Sequence, residues 1–432
     1  MEQKKLTTEN YKGTRDFYPE DMVIRKYLFD VMRRTVEKYG YVEYDASIIE
    51  ETDLYRAKSG EEIINEQTYT FQDRGGRDVT IRPEMTPTVA RMIAKKRKEL
   101  TFPLRWYSIP NLMRYERPQR GRVREHRQLN VDMFGIDSVS ADIEIISVAY
   151  DIMSAFGAKD ESFQIKINDR RIVNFLLGDF LGMDNERVLS LSKLIDKKAK
   201  MSEVEFKNNA KNILGDKIDL FRDILNNTDI NDLPKEFEEN EGVRDLKKLL
   251  KDLNDIGIVN VVYDPTIMRG FDYYTGMVFE IFDNGPENNR ALFGGGRYDD
   301  LVGIFNVEKV CGVGFGMGDV TLQDYLETYY LLPENLRSST DLYICVCAKE
   351  YKKDANILAR YLRDNGINVA VDITDRKIPA QIKTADKKKI PFIVCVGENE
   401  VKSGQYKLKE LSKGEEKMVG KEEIVQAILE IK

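Results

Sequence analysis

From Gln128 to Met133 polar and apolar residues alternate: Gln128, Asn130 and Asp132 fall on one face of an extended segment, Leu129, Val131 and Met133 on the other. Arg124 and His126 continue the polar row backwards. The apolar face packs on a core, so the polar face opposite it lines water or a ligand. A second strand-like run lies upstream at 104–109, and Pro118 and Gly121 punctuate the stretch between the two. The pattern predicts a hairpin whose outgoing strand presents the polar row.

Helical spacing marks residues 22–39, ending near Gly40, with strand-like runs over 42–49. The run Ile81-Arg82-Pro83-Glu84-Met85-Thr86-Pro87 opens another helix, with Thr86 or Thr88 as its cap. Residues 141–156 are helical. From 169 to 255 the pattern is helical, charged and poor in β-branched runs, which predicts a helical insertion. Strand signals return at 259–263 and 277–282. Beyond 341, strands (342–347, 368–373, 391–396) alternate with helices (350–364, 377–389, 421–431), as in a small α/β domain. Residues 331–340, with Pro333, Asn335 and paired serines, read as a linker. The expected organisation is a body over 1–330 and a second domain over 341–432.

Two glycine clusters stand out. Gly294-Gly295-Gly296 reads as a turn and lacks the Lys-Ser/Thr of a phosphate loop. Gly312, Gly314, Gly316 and Gly318 alternate with Val313, Phe315 and Met317, which leaves one strand face as bare backbone. A nucleotide base or ribose fits such a face. Asp319 then stands where it can cap the next helix.

Composition narrows the chemistry. The chain has 432 residues, 33% of them charged, the profile of a globular protein of two or three domains. No long apolar run predicts a signal peptide or a membrane span. Four cysteines, Cys311, Cys345, Cys347 and Cys395, show no disulfide pattern and point to a reducing cytoplasm; Cys345 and Cys347 are expected as buried thiols. A single histidine excludes a His-rich zinc or iron site, and no metal centre is expected. The net charge of −7 argues against a general nucleic-acid coat. Residues 341–432, however, hold 18 Lys and Arg against 15 Asp and Glu, while the rest holds 49 against 59, so a polyanion would dock at the tail.

Against this acidic body, six arginines (Arg114, Arg117, Arg120, Arg122, Arg124 and Arg127) fall within fourteen residues. Guanidinium forks match phosphate and carboxylate oxygens. The predicted hairpin therefore has cations at its loop and the Asp132 carboxylate at the far end of its polar row, which suits a zwitterion beside a polyphosphate. A second constellation runs from Met268 to Glu280, where Arg269, Asp272, Tyr273 and Tyr274 precede a strand. Phenols can fix a polar ligand, and an arginine can meet developing negative charge.

These runs resemble the histidyl-tRNA synthetases, a family of class II aminoacyl-tRNA synthetases, over essentially the whole chain. Lys12-Gly13-Thr14-Arg15-Asp16 is similar to the family's opening element and Arg82-Pro83-Glu84-Met85-Thr86 to its amino-acid-binding loop. The arginine hairpin is similar to motif 2, residues 312–318 to the strand of motif 3, and 269–276 to the histidine-specific Arg-Gly-x-Asp-Tyr-Tyr-Thr-Gly element. Residues 341–432 resemble an anticodon-binding domain.

The resemblance implies an α+β fold: a seven-stranded antiparallel catalytic sheet with a helical insertion, plus the C-terminal α/β domain. It implies a cytoplasmic homodimer that ligates L-histidine to tRNA(His) through histidyl-adenylate, with ATP and Mg²⁺ as substrate and no organic cofactor. Glu84, Thr86 and Gln128 would hold the amino group, Arg114 the carboxylate and α-phosphate, and Asp132 and Tyr274 the imidazole, with Tyr273 beside them. Arg269 would stabilise the pentacoordinate α-phosphate. On the ATP side the resemblance implies Arg114, Glu116, Arg122, His126, Gly316 and Gly318. Three positions depart from the family pattern: Asp132 stands for a glutamate, His126 for an adenine-stacking aromatic, and Thr321 for the arginine of motif 3. The last leaves the γ-phosphate to Arg120, Arg122 or Mg²⁺. It also points to a second class, a catalytically silent relative acting as the histidine-sensing regulatory subunit of ATP phosphoribosyltransferase. The intact 269–276 element, the intact hairpin and the appended tail domain point to the enzyme.

Overall fold

The structure is a computed structural model and describes residues 6–56, 67–198, 201–269, 273–286, 288, 290–333 and 338–431. Part of the expected linker, 334–337, lies outside these residues, as does Asp272 of the second constellation.

In chain order the first twelve strands are β1 (Val42–Glu43), β2 (Ile49–Glu51), β3 (Tyr69–Gln72), β4 (Asp78–Ile81), β5 (Leu104–Ser108), β6 (Asn111–Met113), β7 (Glu125–Phe134), β8 (Phe163–Asp169), β9 (Val261–Tyr263), β10 (Met277–Asp283), β11 (Ala291–Arg297) and β12 (Gly312–Gly318). Strands β2, β4 and β3 form a small sheet of their own. The other nine form one sheet in the order β1-β5-β7-β12-β11-β10-β8-β9, with β6 also on β7. Seven of these, β5 to β8 and β10 to β12, pair antiparallel with one another, as expected; the two-residue β1 on β5 and the three-residue β9 on β8 add parallel edges that the resemblance did not imply. The predicted hairpin is present. Ser108 pairs with Asn130 and Asn111 with Arg127 in one continuous register, so β5 and β6 are a single strand interrupted at Ile109-Pro110, where proline has no N–H for the ladder.

Gly294-Gly295-Gly296 is not a turn. It is the middle of β11, paired on both sides. A side chain at Gly295 would run into the Gly314 carbonyl, so the strand closes only with glycine there. The helix Val139–Ala155 packs across β7 and β12 and covers the apolar face on which Leu129, Val131 and Met133 are buried. Between β8 and β9 the chain is helical, with Asn185–Asp196, Glu203–Leu214, Ile218–Leu225 and Glu241–Asp255 as its longer elements. The helix Thr86–Lys96 starts without a side-chain cap: Met85 holds the cap position, Thr86 is already helical, and the Thr88 hydroxyl is buried against Tyr55.

Two compact units result. One comprises Met1–Asp16 with Leu28–Leu332, the other Phe17–Tyr27 with Pro333–Lys432. The second unit has a five-stranded sheet of β13 (Leu342–Val346), β14 (Val369–Val371), β15 (Phe392–Val396), β16 (Tyr406–Glu410) and β17 (Glu416–Val419), ordered β14-β13-β15-β16-β17. The first three strands are parallel, as a strand–helix alternation requires. The antiparallel β16 and β17 and the helix Glu398–Ser403 were not anticipated. All four cysteines are free; Cys345 is buried, but Cys347 is exposed because β13 ends at Val346 and strand alternation no longer governs it.

Candidate functional site

The site is built on the polar face of β7. Asp132 pairs in register with Gly314 of β12, and its carboxyl lies over that bare backbone: a Cβ on Gly314 would stand 2.5 Å from Asp132 Oδ1 and 2.7 Å from the Tyr298 hydroxyl. Tyr298, just beyond β11, donates its phenol to Asp132 Oδ1. Asp132 Oδ2 is buried and has no hydrogen-bond partner among the described residues. Burial raises the Asp132 carboxyl to about 7, against the opposing effect of the Tyr298 and Tyr44 phenols.

Three aromatic rings wall this end. Tyr298 meets Tyr273 at 5.8 Å and Tyr274 at 6.4 Å between centroids, and Tyr273 meets Tyr274 at 4.9 Å. The Tyr273 hydroxyl donates to Glu84 Oε2 at 3.0 Å, with the half-buried Thr86 beside it. Gly296 makes room for the Tyr274 ring, since a Cβ there would stand 2.8 Å from Cδ1. The structure thus brings Glu84, Thr86, Asp132, Tyr273 and Tyr274 together, although they come from three separate stretches of chain.

Arg269 has φ of 55°, a left-handed conformation uncommon for a residue with a side chain. Its Nη1 donates to Glu280 Oε1 at 3.1 Å, and Gly294 leaves it space, for a Cβ there would stand 2.6 Å from Nη1. Burial works against the guanidinium charge, but Tyr274 and Glu280 outweigh it. Arg114 Nε donates to the Pro83 carbonyl at 2.9 Å, which fixes the guanidinium next to Glu84 in the chain.

The hairpin turn closes through reciprocal backbone bonds between Gln119 and Arg122, at 3.0 and 2.9 Å, with Gly121 at φ 73°. Half of the arginine cluster is tied to the chain's own carbonyls, Arg114 to Pro83, Arg124 to Glu116 and Arg127 to Ile109. Arg124 is buried, donates to Glu116 O and the Tyr11 hydroxyl, each at 3.1 Å, and stacks 4.0 Å over Tyr115. Its backbone N–H meets the Gly13 carbonyl at 2.7 Å, so the N-terminal element is docked on the hairpin root. Arg127 donates to Ile109 O at 3.1 Å. Arg117, Arg120 and Arg122 remain exposed, Arg122 with Glu116 at 3.6 Å. His126 is half-buried; burial first, then Arg114 and Arg15, hold its pKa at about 3, so the imidazole is neutral.

The glycine row of β12 does a different job from the one expected. Gly312 lies under Tyr298 and Phe134, Gly314 under Asp132, and Gly316 under Gln128, whose Cδ would be 2.8 Å from a Cβ. The bare backbone accommodates this chain's own side chains; only at Gly318 is the face open, with Thr321 Oγ1 at 3.8 Å. Asp319 does not cap the helix Asp319–Thr328, whose cap position is Gly318. Its carboxylate instead accepts from the Arg127 backbone N–H at 3.0 Å and from Arg15 Nη2 at 3.1 Å. Thr321 donates to Leu292 O at 2.7 Å and puts its methyl under the turn at Gly121.

Sequence reasoning missed Tyr298, Glu280 and Arg15. Each sits in or just beyond a run that was singled out: Tyr298 after the glycine triplet, Glu280 closing 268–280, Arg15 within the opening element. Their roles depend on partners far along the chain, so alternation could not reveal them.

Comparison with known proteins agrees with this architecture. The profile described as Histidyl-tRNA synthetase matches residues 13–320, and that of the Anticodon binding domain matches 341–431. The chain is 48% identical over 419 residues to the Histidine--tRNA ligase of Leptospira biflexa, covering 95% of each chain. It is 35% identical over 427 residues to the Histidine--tRNA ligase of Thermoplasma volcanium, covering 96% of each. Among solved structures, the histidyl-tRNA synthetase from Nostoc sp. PCC 7120 superposes with a TM-score of 0.83 over 99% of this chain and 100% of that one; at 23% identity this is a likeness of fold.

Proposed function

The chain belongs to the histidyl-tRNA synthetase family and ligates histidine to tRNA, and from that premise we propose that the cleft over β7 activates L-histidine with ATP and passes it to tRNA(His) through histidyl-adenylate. A histidine carboxylate oxygen attacks the α-phosphorus and pyrophosphate leaves. The terminal ribose hydroxyl of the tRNA then attacks the carbonyl carbon, and AMP leaves. Both steps need positioned cations rather than a strong base.

Asp132 is the observation that carries this reading. Its carboxyl is buried, one oxygen is taken by Tyr298, and the other has no partner among the described residues. A buried acceptor left unmade costs roughly 1–3 kcal/mol, and an imidazole N–H is a donor of the right size to meet it. Glu84, with Tyr273, and Gln128 would take the amino group, Thr86 supporting Tyr273. Arg114 would take the carboxylate and α-phosphate and Arg269 the charge that develops there. Neutral His126 would face the adenine without repelling the nearby arginines. Arg15, Arg120 and Arg122, with Glu116 steadying Arg122, would take the outer phosphates where Thr321 supplies no cation. No group of three or more ligating side chains is present among the described residues. Mg²⁺ needs only one or two carboxylates when it rides on phosphates, so it fits here as part of MgATP.

We further propose domain limits of 1–330 and 341–432, a homodimer, and a cytoplasmic location; no helix among the described residues is long and apolar enough to cross a membrane. The regulatory-subunit alternative is not favoured, because the relatives that match across nearly the whole chain are ligases and the tail matches an anticodon-binding domain. Histidine-dependent ATP–pyrophosphate exchange, followed by charging of tRNA(His), tests the proposal. Purified protein should show both. Absence of exchange in folded protein would overturn it.

A further inference from the structure

The polar row on the sheet does not stop at Asp132. β1 runs parallel to β5 with Val42 opposite Trp106 and Glu43 opposite Tyr107. The chain keeps this course for one more residue: the Tyr44 N–H donates to Tyr107 O at 2.9 Å, which sets Tyr44 beside Ser108. Across β5 and β7, Trp106 opposes Asp132 and Ser108 opposes Asn130. Side chains two apart share a face, so Tyr44, Ser108 and Asp132 lie on one face of three neighbouring segments. Tyr44 also packs its ring on Trp106, with centroids 5.5 Å apart.

The polar ends of these three residues are all buried. The Tyr44 hydroxyl, Ser108 Oγ and Asp132 Oδ2 each have no hydrogen-bond partner among the described residues. Three such atoms at one spot are unusual, because buried polar groups are nearly always paired. The groups act on one another: Tyr44 is influenced by both Ser108 and Asp132, and Asp132 by Tyr44. Burial raises the Tyr44 phenol well above its ordinary value, so it stays a donor. An ionised carboxylate oxygen has two lone-pair sites and can accept from two donors at once.

We propose that Tyr44, supported by Ser108, is a positioning residue for Asp132: its phenol approaches Oδ2, holds the carboxyl as an acceptor, and leaves the second lone pair of that oxygen for the imidazole N–H of histidine. The imidazole is then read by a carboxylate steadied from both sides, by Tyr298 on Oδ1 and Tyr44 on Oδ2. The inference rests on the reading of Asp132 as the imidazole acceptor. The other titratable groups that act on Asp132 are Tyr41 and, through Tyr298, Tyr273 and Tyr274; the Arg82 charge acts on Tyr44.

The test compares wild type, Tyr44→Phe, Ser108→Ala and Asp132→Asn in the exchange assay, with KM for histidine and for ATP and the pH profile of kcat/KM for histidine. Tyr44→Phe should raise the histidine KM about tenfold, the equivalent of one pK unit, and leave the ATP KM nearly unchanged. It should also move the acidic limb of the profile to higher pH, because a donor to the ionised carboxylate has been lost. Ser108→Ala should act in the same direction more weakly. A merely structural tyrosine would impair both substrates and leave the limb in place, and that result overturns the assignment. If Asp132→Asn leaves the histidine KM unchanged, the reading of Asp132 itself fails. If Asp132→Asn acts and Tyr44→Phe does not, only the role of Tyr44 falls.

Discussion

The two ends of the polar row on β7 are built on opposite electrostatic plans. At the Asp132 end a buried carboxyl is bonded to Tyr298, on whose ring Tyr273 and Tyr274 pack, and one of its oxygens has no partner among the described residues. At the hairpin end Arg117, Arg120 and Arg122 stand in solvent on a turn. Desolvation makes the first end discriminating, because a wrong ligand leaves a buried acceptor unmet. Exposure makes the second end inexpensive to keep and weak until a polyanion covers it, since solvent and salt screen its charges. Arg269 and Arg114 stand between the two plans. They are cations held in place by Glu280 and by the Pro83 carbonyl.

The contrast should be clearest where the plans meet. Arg269→Ala is expected to slow adenylate formation about a hundredfold or more, the usual cost of one preorganised charge donor, while histidine still binds. Exchange kinetics beside equilibrium histidine binding check this; near-normal exchange would remove Arg269 from the reacting centre.

Next in size, Asp132→Asn should raise the histidine KM tens of times, by the loss of about 2 kcal/mol in a hydrogen bond to a charged acceptor, and leave the ATP KM alone. Equal effects on both constants would mean that the two ends are not separable. The same substitution has a stability signature. The folded carboxyl sits at about 7, above an unfolded value of about 3.9. Its stabilising contribution is therefore complete below the unfolded value and is lost as pH rises through about 7. The Asn variant should gain on wild type in Tm between about pH 4 and 7; a pH-independent difference would contradict the burial argument.

At the open end the effects should be smaller. Arg122→Ala and Arg15→Ala should each raise the ATP KM several-fold, about 1 kcal/mol. The Arg122 effect should shrink at high salt, whereas that of Arg15, tied to Asp319 at 3.1 Å, should persist. Identical salt dependence would blur the proposed division between built-in and exposed cations.

Smallest of all is His126. Its pKa is pushed down to about 3 by burial and then by Arg114 and Arg15. Its contribution to stability is present above the unfolded value of about 6.5 and lost as pH falls towards about 3. His126→Gln should therefore leave Tm unchanged near neutrality and flatten its acid dependence; an unchanged acid limb would show that the ring is not held neutral.

Much of this organisation is local in origin and was legible in the chain. The polar row of β7, the turn at Gly121, the helical insertion and the alternation of 342–396 each depend on residues a few positions apart, where period and punctuation operate. The remaining features rest on pairings between distant segments. Tyr298 reaches Asp132 across 166 residues. The glycines of β11 and β12 are explained only by what crosses them: Arg269 and Tyr274 over one strand, Asp132, Tyr298 and Gln128 over the other. Arg124 and Arg127 looked like ligand-binding cations until their carbonyl and phenol partners were in place. Residue type and spacing tell which groups can be charged or bare. Which of them are buried together, and so matched or left wanting a partner, is decided only when the sheet closes, because desolvation is a property of the assembled neighbourhood and not of the chain.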